Sequence, residues 1–404
     1  MENKKTFFDN KFIILIFIAV MILCSGHAFY TIFPLLKNVS AITTIICLIP
    51  ITGVLRTRRI DSSVGAFLIF FGMTLVAIVL ELGKNFSYYI VMLCMVFTAF
   101  AVAQLYDFQK MVRVYLNIMV VVTIVGVVGH FLINNTSLLN SLPIYSSMND
   151  FDYRVGIIFN SMTLHPDRNC GMFWEPGLFA TYIAIAMVFE ILFPPKGRPS
   201  WWHLIVFVIG MLTTTSSAGY VLMVLCAILL LTCRQRKKSD TNAFWSVVKF
   251  VLFVTAILVL MNYEVILEST GLAKNEYVQK LFPENIIESS RAQALSHNFK
   301  TFFKSPLFGV GITQAYGALE SVADTSTSTF ALSVFGIPGA AYTFYWLYAI
   351  FKDKTTNLYS KVVFAAIILS ILNKEPHLSL LFTWCLLFWL LRRVGDQKKE
   401  EADV

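Results

Sequence analysis

Charged side chains are scarce in this sequence. Asp, Glu, Lys and Arg together make up only 14% of the 404 residues, whereas 57% of the residues are hydrophobic and 15% are aromatic. A soluble protein of this length carries far more charge on its surface, so the composition excludes a set of soluble domains. It is typical of an integral membrane protein, and we expect one membrane domain over residues 1–404.

Cysteine pairs are also lacking. The seven cysteines form no CxxC motif, and six of them lie in or at the ends of apolar runs. The sequence therefore predicts neither a disulfide framework nor a metal site, and no cofactor is expected. Cys170 alone lies in a polar connection, where we expect a free thiol.

Long hydrophobic runs fill most of the chain. A helix needs roughly 17 to 25 apolar residues to cross the hydrocarbon core of a membrane. Twelve runs come near that length, at approximately 12–32, 39–55, 64–82, 87–105, 112–134, 174–193, 201–215, 218–233, 243–262, 328–351, 359–373 and 377–391. The sequence therefore predicts an all-α, polytopic membrane protein with about 12 transmembrane helices.

Lys and Arg are concentrated in alternate connections between these runs. They precede the first run, follow the second and fourth, form the segment CRQRKK and recur at the C-terminal end. Because basic residues mark cytoplasmic loops, we expect both termini on the cytoplasmic side. The net charge of +8 is then mainly a topology signal, and nucleic acid is not an expected partner.

Two connections are long in this topology, 135–173 and 263–327, and both are expected on the outer side. Neither is rich in Pro and Gly, so we expect both to be ordered. In the second, ESSRAQALSHNFKTFF (288–303) spaces apolar residues at helical intervals and predicts an amphipathic helix on the membrane surface. The segment SPLFGVG then predicts an irregular turn.

Both long connections carry basic side chains that could bind phosphate. Guanidinium groups bind phosphate oxygens in a bidentate manner, which makes Arg154, Arg168 and Arg291 candidates for a lipid diphosphate. Lys300 and two histidines, His165 and His297, are weaker candidates. The alternative is a solvated loop surface for the cations and an interfacial polar position for each histidine.

Glu175 begins the sixth apolar run, in FWEPGL. Pro176 after it suits the first turn of a helix, so Glu175 can be an N-terminal cap. A partly desolvated carboxylate at this position can also serve as a general base for a sugar hydroxyl. The two interpretations are compatible with each other.

Four segments occur in a fixed order along the chain: FWEPGLFATYIAIAM, TTTSSAGYVLMVLCAILL, SSRAQALSHNFKTFFKSPLFGVGI and STFALSVFGIPGAAY. Together they resemble the bacterial O-antigen polymerase (Wzy) and O-antigen ligase superfamily, over roughly residues 168–342. In that family an arginine in the amphipathic segment before a P-L-x-G-x-G turn engages the diphosphate of an undecaprenyl-linked glycan. The resemblance gives this role to Arg291.

The chain departs from the family pattern at two places. Many members have Ser-Arg where this chain has Ser217 and Ala218, and ligases tend to have a histidine at the start of the span after the second long connection. This chain has TSTSTF (325–330) there, which favours a polymerase over a ligase. The Glu-Pro-Gly sequence at Glu175 also resembles the polymerases.

The resemblance implies a metal-independent, inverting glycosyltransferase of the bacterial plasma membrane. It would polymerise undecaprenyl-diphosphate-linked repeat units of O-antigen, part of lipopolysaccharide, or of a related surface polysaccharide. Arg291, Arg168 and, more weakly, Arg154 are expected to bind the diphosphate, and Glu175 the acceptor hydroxyl. Expected partners are the lipid-linked donor and acceptor, membrane lipid and a chain-length-regulating membrane protein. An O-antigen ligase, a lipid-linked oligosaccharide flippase and a peptidoglycan-type polymerase are the alternatives.

Overall fold

The structure is a computed structural model. The structure describes residues 11–23, 25–33, 62–137, 141–147, 151–156, 158–233, 290–317 and 323–402. The second and ninth predicted spans, 39–55 and 243–262, lie outside the described residues. Within the described ranges the fold is mostly α-helical.

Fourteen α-helices and three strands are described. The helices are α1 (Lys11–Leu23), α2 (Ala28–Ile32), α3 (Ser62–Leu80), α4 (Phe86–Leu105), α5 (Phe108–Asn135), α6 (Pro176–Leu192), α7 (Trp201–Thr213), α8 (Ser217–Cys233), α9 (Ser290–Phe302), α10 (Gly311–Tyr316), α11 (Thr327–Phe335), α12 (Ala340–Lys352), α13 (Leu358–Leu372) and α14 (Leu381–Ala402). The strands are β1 (Ile144–Ser146), β2 (Asp152–Val155) and β3 (Asn160–Met162). Short 3₁₀ helices cover Ala323–Thr325, Ile337–Gly339 and His377–Ser379.

Three of the described helices, α3, α4 and α5, are long and apolar enough to cross a membrane by length and composition. Four others, α6, α7, α8 and α13, are apolar but shorter. These helices support the prediction of a membrane protein. The number of twelve spans stays a prediction.

Two of the predicted spans are not continuous helices. The run at 12–32 is interrupted between α1 and α2, where Gly26 adopts a φ of +125° and a Cβ would collide with Leu178. The run at 328–351 is interrupted between α11 and α12, where Pro338 has no N–H to continue the helical hydrogen bonds. A tertiary contact and a proline thus interrupt the helices within these two apolar runs.

Helix α6 lies at the centre of the bundle. Its side chains are buried on all faces from Pro176 to Ile191, as expected for a helix that is apolar all round. It packs against α5, α7 and α8, while α14 packs against α3, α4 and α12. The first turn of α6 is therefore held in a well-packed position.

The first long connection contains an antiparallel sheet in the order β1-β2-β3. Arg154 pairs with Ile144 on one side and with Ser161 on the other. Tyr153 and Val155 are buried, whereas Asp152 is exposed and Arg154 half-buried. This connection is ordered in its described parts, as expected. The all-α prediction missed the sheet, because strands of three and four residues are too short to show the alternation of apolar and polar side chains.

Helix α9 confirms a helix within 288–303. Its buried residues include Ala294, Asn298 and Thr301, while Leu295 and Phe299 are 44% and 41% exposed. Asn298 donates hydrogen bonds to the carbonyl of Ala323 at 2.9 Å and to Thr329 Oγ1 at 3.1 Å. The helix is thus attached through a polar face and presents apolar side chains outward.

The SPLFGVG segment forms the expected irregular turn between α9 and α10. Gly309 has a φ of +73°, and a Cβ there would collide with the backbone of Val334. Val310 N donates to the carbonyl of Ser333 at 2.9 Å. The turn is therefore packed directly against the end of α11.

Candidate functional site

Glu175 immediately precedes α6 and has an extended backbone, with φ −149° and ψ 156°. Its side chain is half-buried and makes no hydrogen bond to the first turn of the helix. The capping interpretation therefore lacks the hydrogen bond that defines it. The segment before Glu175 is held by the break between α1 and α2, since Trp174 N donates to the carbonyl of Gly26 at 2.9 Å.

A buried lysine lies beside this carboxylate. Lys374, between α13 and α14, is only 5% exposed. Its Nζ donates to the carbonyl of Gly177 at 2.8 Å and to Ser216 Oγ at 3.3 Å. A Cβ on Gly177 would lie 2.7 Å from Lys374 Nζ and 2.9 Å from Glu175 Oε1, so the ammonium and the carboxylate flank the same residue.

Arg168 comes to the same region. The charges of Glu175 and Arg168 both act on the thiol of Cys170. Arg168 is half-buried, and its Nε is shielded from solvent with no hydrogen-bond partner among the described residues. Two of the predicted site residues, Glu175 and Arg168, therefore both lie near Cys170.

Cys170 is a free thiol, as expected, but it is fully buried. Burial raises the pKa of this thiol to about 12. Its Sγ donates a weak hydrogen bond to the carbonyl of Arg168 at 3.7 Å. Cys170 is therefore a packing residue under the loop that carries Arg168.

The sheet anchors the segment that leads into α6. Tyr153 donates from its hydroxyl to the carbonyl of Trp174 at 2.6 Å, and burial raises the pKa of Tyr153. Arg154 is the next residue on the same strand, so its side chain leaves the opposite face of the sheet. Arg154 thus follows Tyr153, which contacts the residue before Glu175, but the side chain of Arg154 lies on the opposite face of β2.

The remaining candidates belong to other parts of the fold. His165 is exposed in the turn before Arg168. His297 Nε2 bonds the carbonyl of Ala315 at 3.0 Å and so joins α9 to α10. Lys300 is exposed in the last turn of α9. Arg291 belongs to the first turn of α9, and its side chain lies outside the described residues.

A second polar cluster was missed by the sequence interpretation. Tyr316, the last residue of α10, donates from its hydroxyl to Asp324 Oδ2 at 2.9 Å. Tyr88, in the first turn of α4, lies within electrostatic range of Asp324 and near Ser379. Burial raises the pKa of Asp324, while the hydrogen bond from Tyr316 opposes that shift. The polarity of SVADTSTST was the only sequence signal for this cluster.

The two clusters share one loop, residues 373–379, between α13 and α14. Ser326 donates from Oγ to Asn373 Oδ1 at 3.0 Å, and Thr327 donates from Oγ1 to the carbonyl of Glu375 at 2.6 Å. The loop carries Lys374 at one end and Ser379 at the other. Its charged NKEPH sequence between two apolar runs was the signal that could have found it.

Metal ligands do not assemble in the part of the chain that the structure describes, since no three His, Cys, Asp or Glu side chains come together there. Metal independence therefore stays a prediction. The sequence matches no protein-family model and no curated protein.

Proposed function

We propose that the protein is a glycan polymerase of the bacterial plasma membrane. It would transfer a growing chain from undecaprenyl diphosphate to a single lipid-linked repeat unit, by inverting glycosyl transfer on the outer face. The observation that carries this proposal is the shielded Nε of Arg168, which lacks a hydrogen-bond partner among the described residues. A buried donor without a partner is uncommon in proteins, and an anionic ligand that accepts its hydrogen bond would satisfy it.

An anionic diphosphate fits this donor. Guanidinium groups bind phosphate oxygens in a planar, bidentate geometry, and Arg168 lies in a loop close to the start of α6. In the proposed reaction the electron pair of the breaking glycosidic bond goes to the departing diphosphate. Arg168 and Arg291 would stabilise the charge that develops there.

Glu175 would supply the other half of the reaction. A hydroxyl oxygen of the acceptor sugar attacks the anomeric carbon of the donor, and its proton passes to the Glu175 carboxylate. The half-burial of Glu175 and its lack of a capping hydrogen bond support this role, because the carboxylate is not occupied by its own helix. Lys374, whose Nζ lies beside Gly177, offsets the negative charge of the Glu175 carboxylate.

The experiment is polymerisation by the purified protein in lipid nanodiscs supplied with lipid-linked repeat units. Wild type should build a ladder of polymer, with and without EDTA, and Arg168→Ala should lose at least about 99% of the rate. Arg198→Ala is the matched control, because Arg198 is exposed in the loop between α6 and α7. Wild type without polymer, or Arg168→Ala with a normal ladder, would contradict the proposal.

A second candidate, a lipid-linked oligosaccharide flippase, is favoured by one observation. Helices α1/α2 and α11/α12 are broken, and broken helices often form the binding sites of transporters. Proteoliposomes separate the two functions. A flippase moves the labelled lipid-linked repeat unit across the bilayer without lengthening it, whereas a polymerase lengthens it.

A further inference from the structure

A cavity of about 340 Å³ lies between the end of α3 and the turn that joins α9 to α10. It opens to the surface, and its volume falls within the range of roughly 300–1,000 Å³ that is typical of ligand sites. The lining combines apolar and polar side chains, among them Leu80, Glu81, Lys304, Phe308, Gln314 and Val334. Three segments that are distant in the sequence, 77–81, 304–314 and the end of α11, therefore build one cavity.

The cavity lies where a helix of membrane-spanning length ends. Helix α3 is apolar and long enough to cross a membrane, and Val79 and Leu80 in its last turn are 71% and 53% exposed. Leu307 and Phe308 in the turn are exposed as well. Apolar side chains that face outward on both sides of a cavity indicate contact with lipid chains. The predicted topology puts this end of α3 at the outer surface of the membrane.

Glu81 is held at the wall of the cavity by the start of α10. Gly311 has a φ of +75°, and a Cβ there would collide with the side chain of Glu81, so the carboxylate lies directly against the backbone of the turn. Thr313 N donates to Glu81 Oε1 at 3.3 Å, and Asn85 Nδ2 donates to Oε2 at 3.5 Å. These contacts use two of the roughly four acceptor positions of a carboxylate. Glu81 can therefore accept further hydrogen bonds from a ligand.

Lys304 brings the opposite charge to the same cavity. It follows α9 and is exposed, and its ammonium group makes no hydrogen bond or ion pair with the residues that the structure describes. Glu81 and Lys304 thus line one cavity without direct contact between their charges, and the other described lining residues are uncharged. Since the two formal charges cancel, the cavity suits a ligand with one positive and one negative group.

The contacts favour a primary ammonium group over a quaternary one. An ethanolamine ammonium, like that of lysine, has three N–H donors, which suit the open acceptor positions of Glu81. A choline group has no N–H donor and is recognised by several aromatic faces, whereas Phe308 is the one aromatic residue in the described lining. A lysine binds phosphate as a point charge, which gives Lys304 the phosphodiester.

We infer that this cavity binds the headgroup of a phosphatidylethanolamine-type lipid of the outer leaflet. Lys304 contacts the phosphodiester, Glu81 accepts hydrogen bonds from the ammonium group, and the acyl chains lie along Leu80 and the exposed surface of α3. The cavity lining contains neither Glu175 nor Arg168, and the inference does not depend on glycosyl transfer. A lipid bound here joins the end of α3 to the turn after α9.

The test follows the binding of single lipids to the purified full chain in detergent by native mass spectrometry. Wild type should bind phosphatidylethanolamine at least about tenfold more tightly than phosphatidylcholine or phosphatidylglycerol with the same acyl chains. Glu81→Gln should lose that preference without losing affinity for phosphatidylglycerol, because Gln keeps an oxygen for Thr313 N but has no charge. Lys304→Gln should weaken the binding of both phosphatidylethanolamine and phosphatidylglycerol. Lys84→Gln is the matched control, since Lys84 is exposed three residues after Glu81 and does not line the cavity.

A folding measurement and a soluble probe complete the test. Phosphatidylethanolamine should raise the thermal midpoint of wild type and of Lys84→Gln but not that of Lys304→Gln. The lipid-free midpoint of Lys304→Gln should equal that of wild type, since the Lys304 ammonium has no partner among the described residues. Glycerophosphoethanolamine, which has the headgroup without acyl chains, should bind at least about a hundredfold more weakly than the lipid.

Two results would overturn the site: equal binding of the three lipids by wild type, or wild-type affinity for phosphatidylethanolamine in both Glu81→Gln and Lys304→Gln. Equal affinity of wild type for glycerophosphoethanolamine and for the lipid would overturn the assignment of a membrane lipid, because the acyl chains would then contribute nothing to binding.

Discussion

Lys374 donates a hydrogen bond from Nζ to the carbonyl of Gly177 at 2.8 Å and so joins positions 197 residues apart in the chain. Gly177 is the second residue of α6, and Glu175 directly precedes that helix. The same ammonium reaches Ser216, which directly precedes α8. One buried side chain therefore holds the starts of two helices beside the candidate base.

Lys374→Met should destabilise the folded protein, because it leaves the carbonyl of Gly177 and the hydroxyl of Ser216 without their donor. The expected cost is about 1–3 kcal/mol, measured by thermal unfolding in detergent. Lys361→Met is the matched control, since Lys361 also donates to a carbonyl, that of Phe351 at 2.8 Å, but in an exposed position. Equal thermal midpoints for both variants would show that the buried contact of Lys374 stabilises the protein no more than the exposed contact of Lys361.

Glu175→Gln separates the two interpretations of this residue. Gln keeps the size of the side chain but accepts no proton at neutral pH, so a general base predicts a polymerisation rate lower by about a hundredfold to ten-thousandfold. Stability should be unchanged, because the carboxylate makes no capping hydrogen bond. The measurement is the single-turnover rate, with Asp396→Asn on α14 as the control for charge removal. A rate close to that of wild type would return Glu175 to a structural role.

Arg291→Ala should abolish polymer, and Arg291→Lys should recover little of it. A lysine supplies a point charge without the planar fork that binds two phosphate oxygens. Polymer ladders from cells that express each variant at wild-type levels provide the measurement. If Arg291→Ala made polymer of normal length and in normal amount, Arg291 would have no role in binding the diphosphate.

Cys170 should resist thiol reagents in the folded protein. It is fully buried, and burial raises its pKa to about 12, so at pH 8 almost no reactive thiolate is present. The experiment uses a variant that retains Cys170 as its only cysteine and follows maleimide labelling before and after unfolding in SDS. Prompt labelling of the native protein would contradict the packing of this loop.

The two long connections should both face outward. Leu164 is 64% exposed in the first, and Ser296 is exposed on α9 in the second. A cysteine at either position should react with an impermeant reagent added to spheroplasts, whereas a cysteine at Lys196 should be protected until the membrane is opened. Labelling of Lys196→Cys from outside would overturn the predicted topology.

The sequence by itself determined the class of protein and much of its helical content. The length and hydrophobicity of a run decide whether its helix can cross a membrane. The bounds of α3, α4 and α5 therefore agree with the predicted spans to within a few residues. Helix α9 followed from the spacing of its apolar residues, which is a local property. Arg168 and Glu175 could be singled out because they interrupt or border apolar runs.

Tertiary structure decided what surrounds those residues. Gly26 breaks the first apolar run where Leu178 crowds it, and Lys374 reaches Gly177 across most of the chain. Tyr316 and Asp324 are near neighbours, but Tyr88 and Ser379 reach them only through folding. Such contacts depend on how distant segments pack. The periodicity of a single segment is a local property and does not identify the distant residues that it will contact.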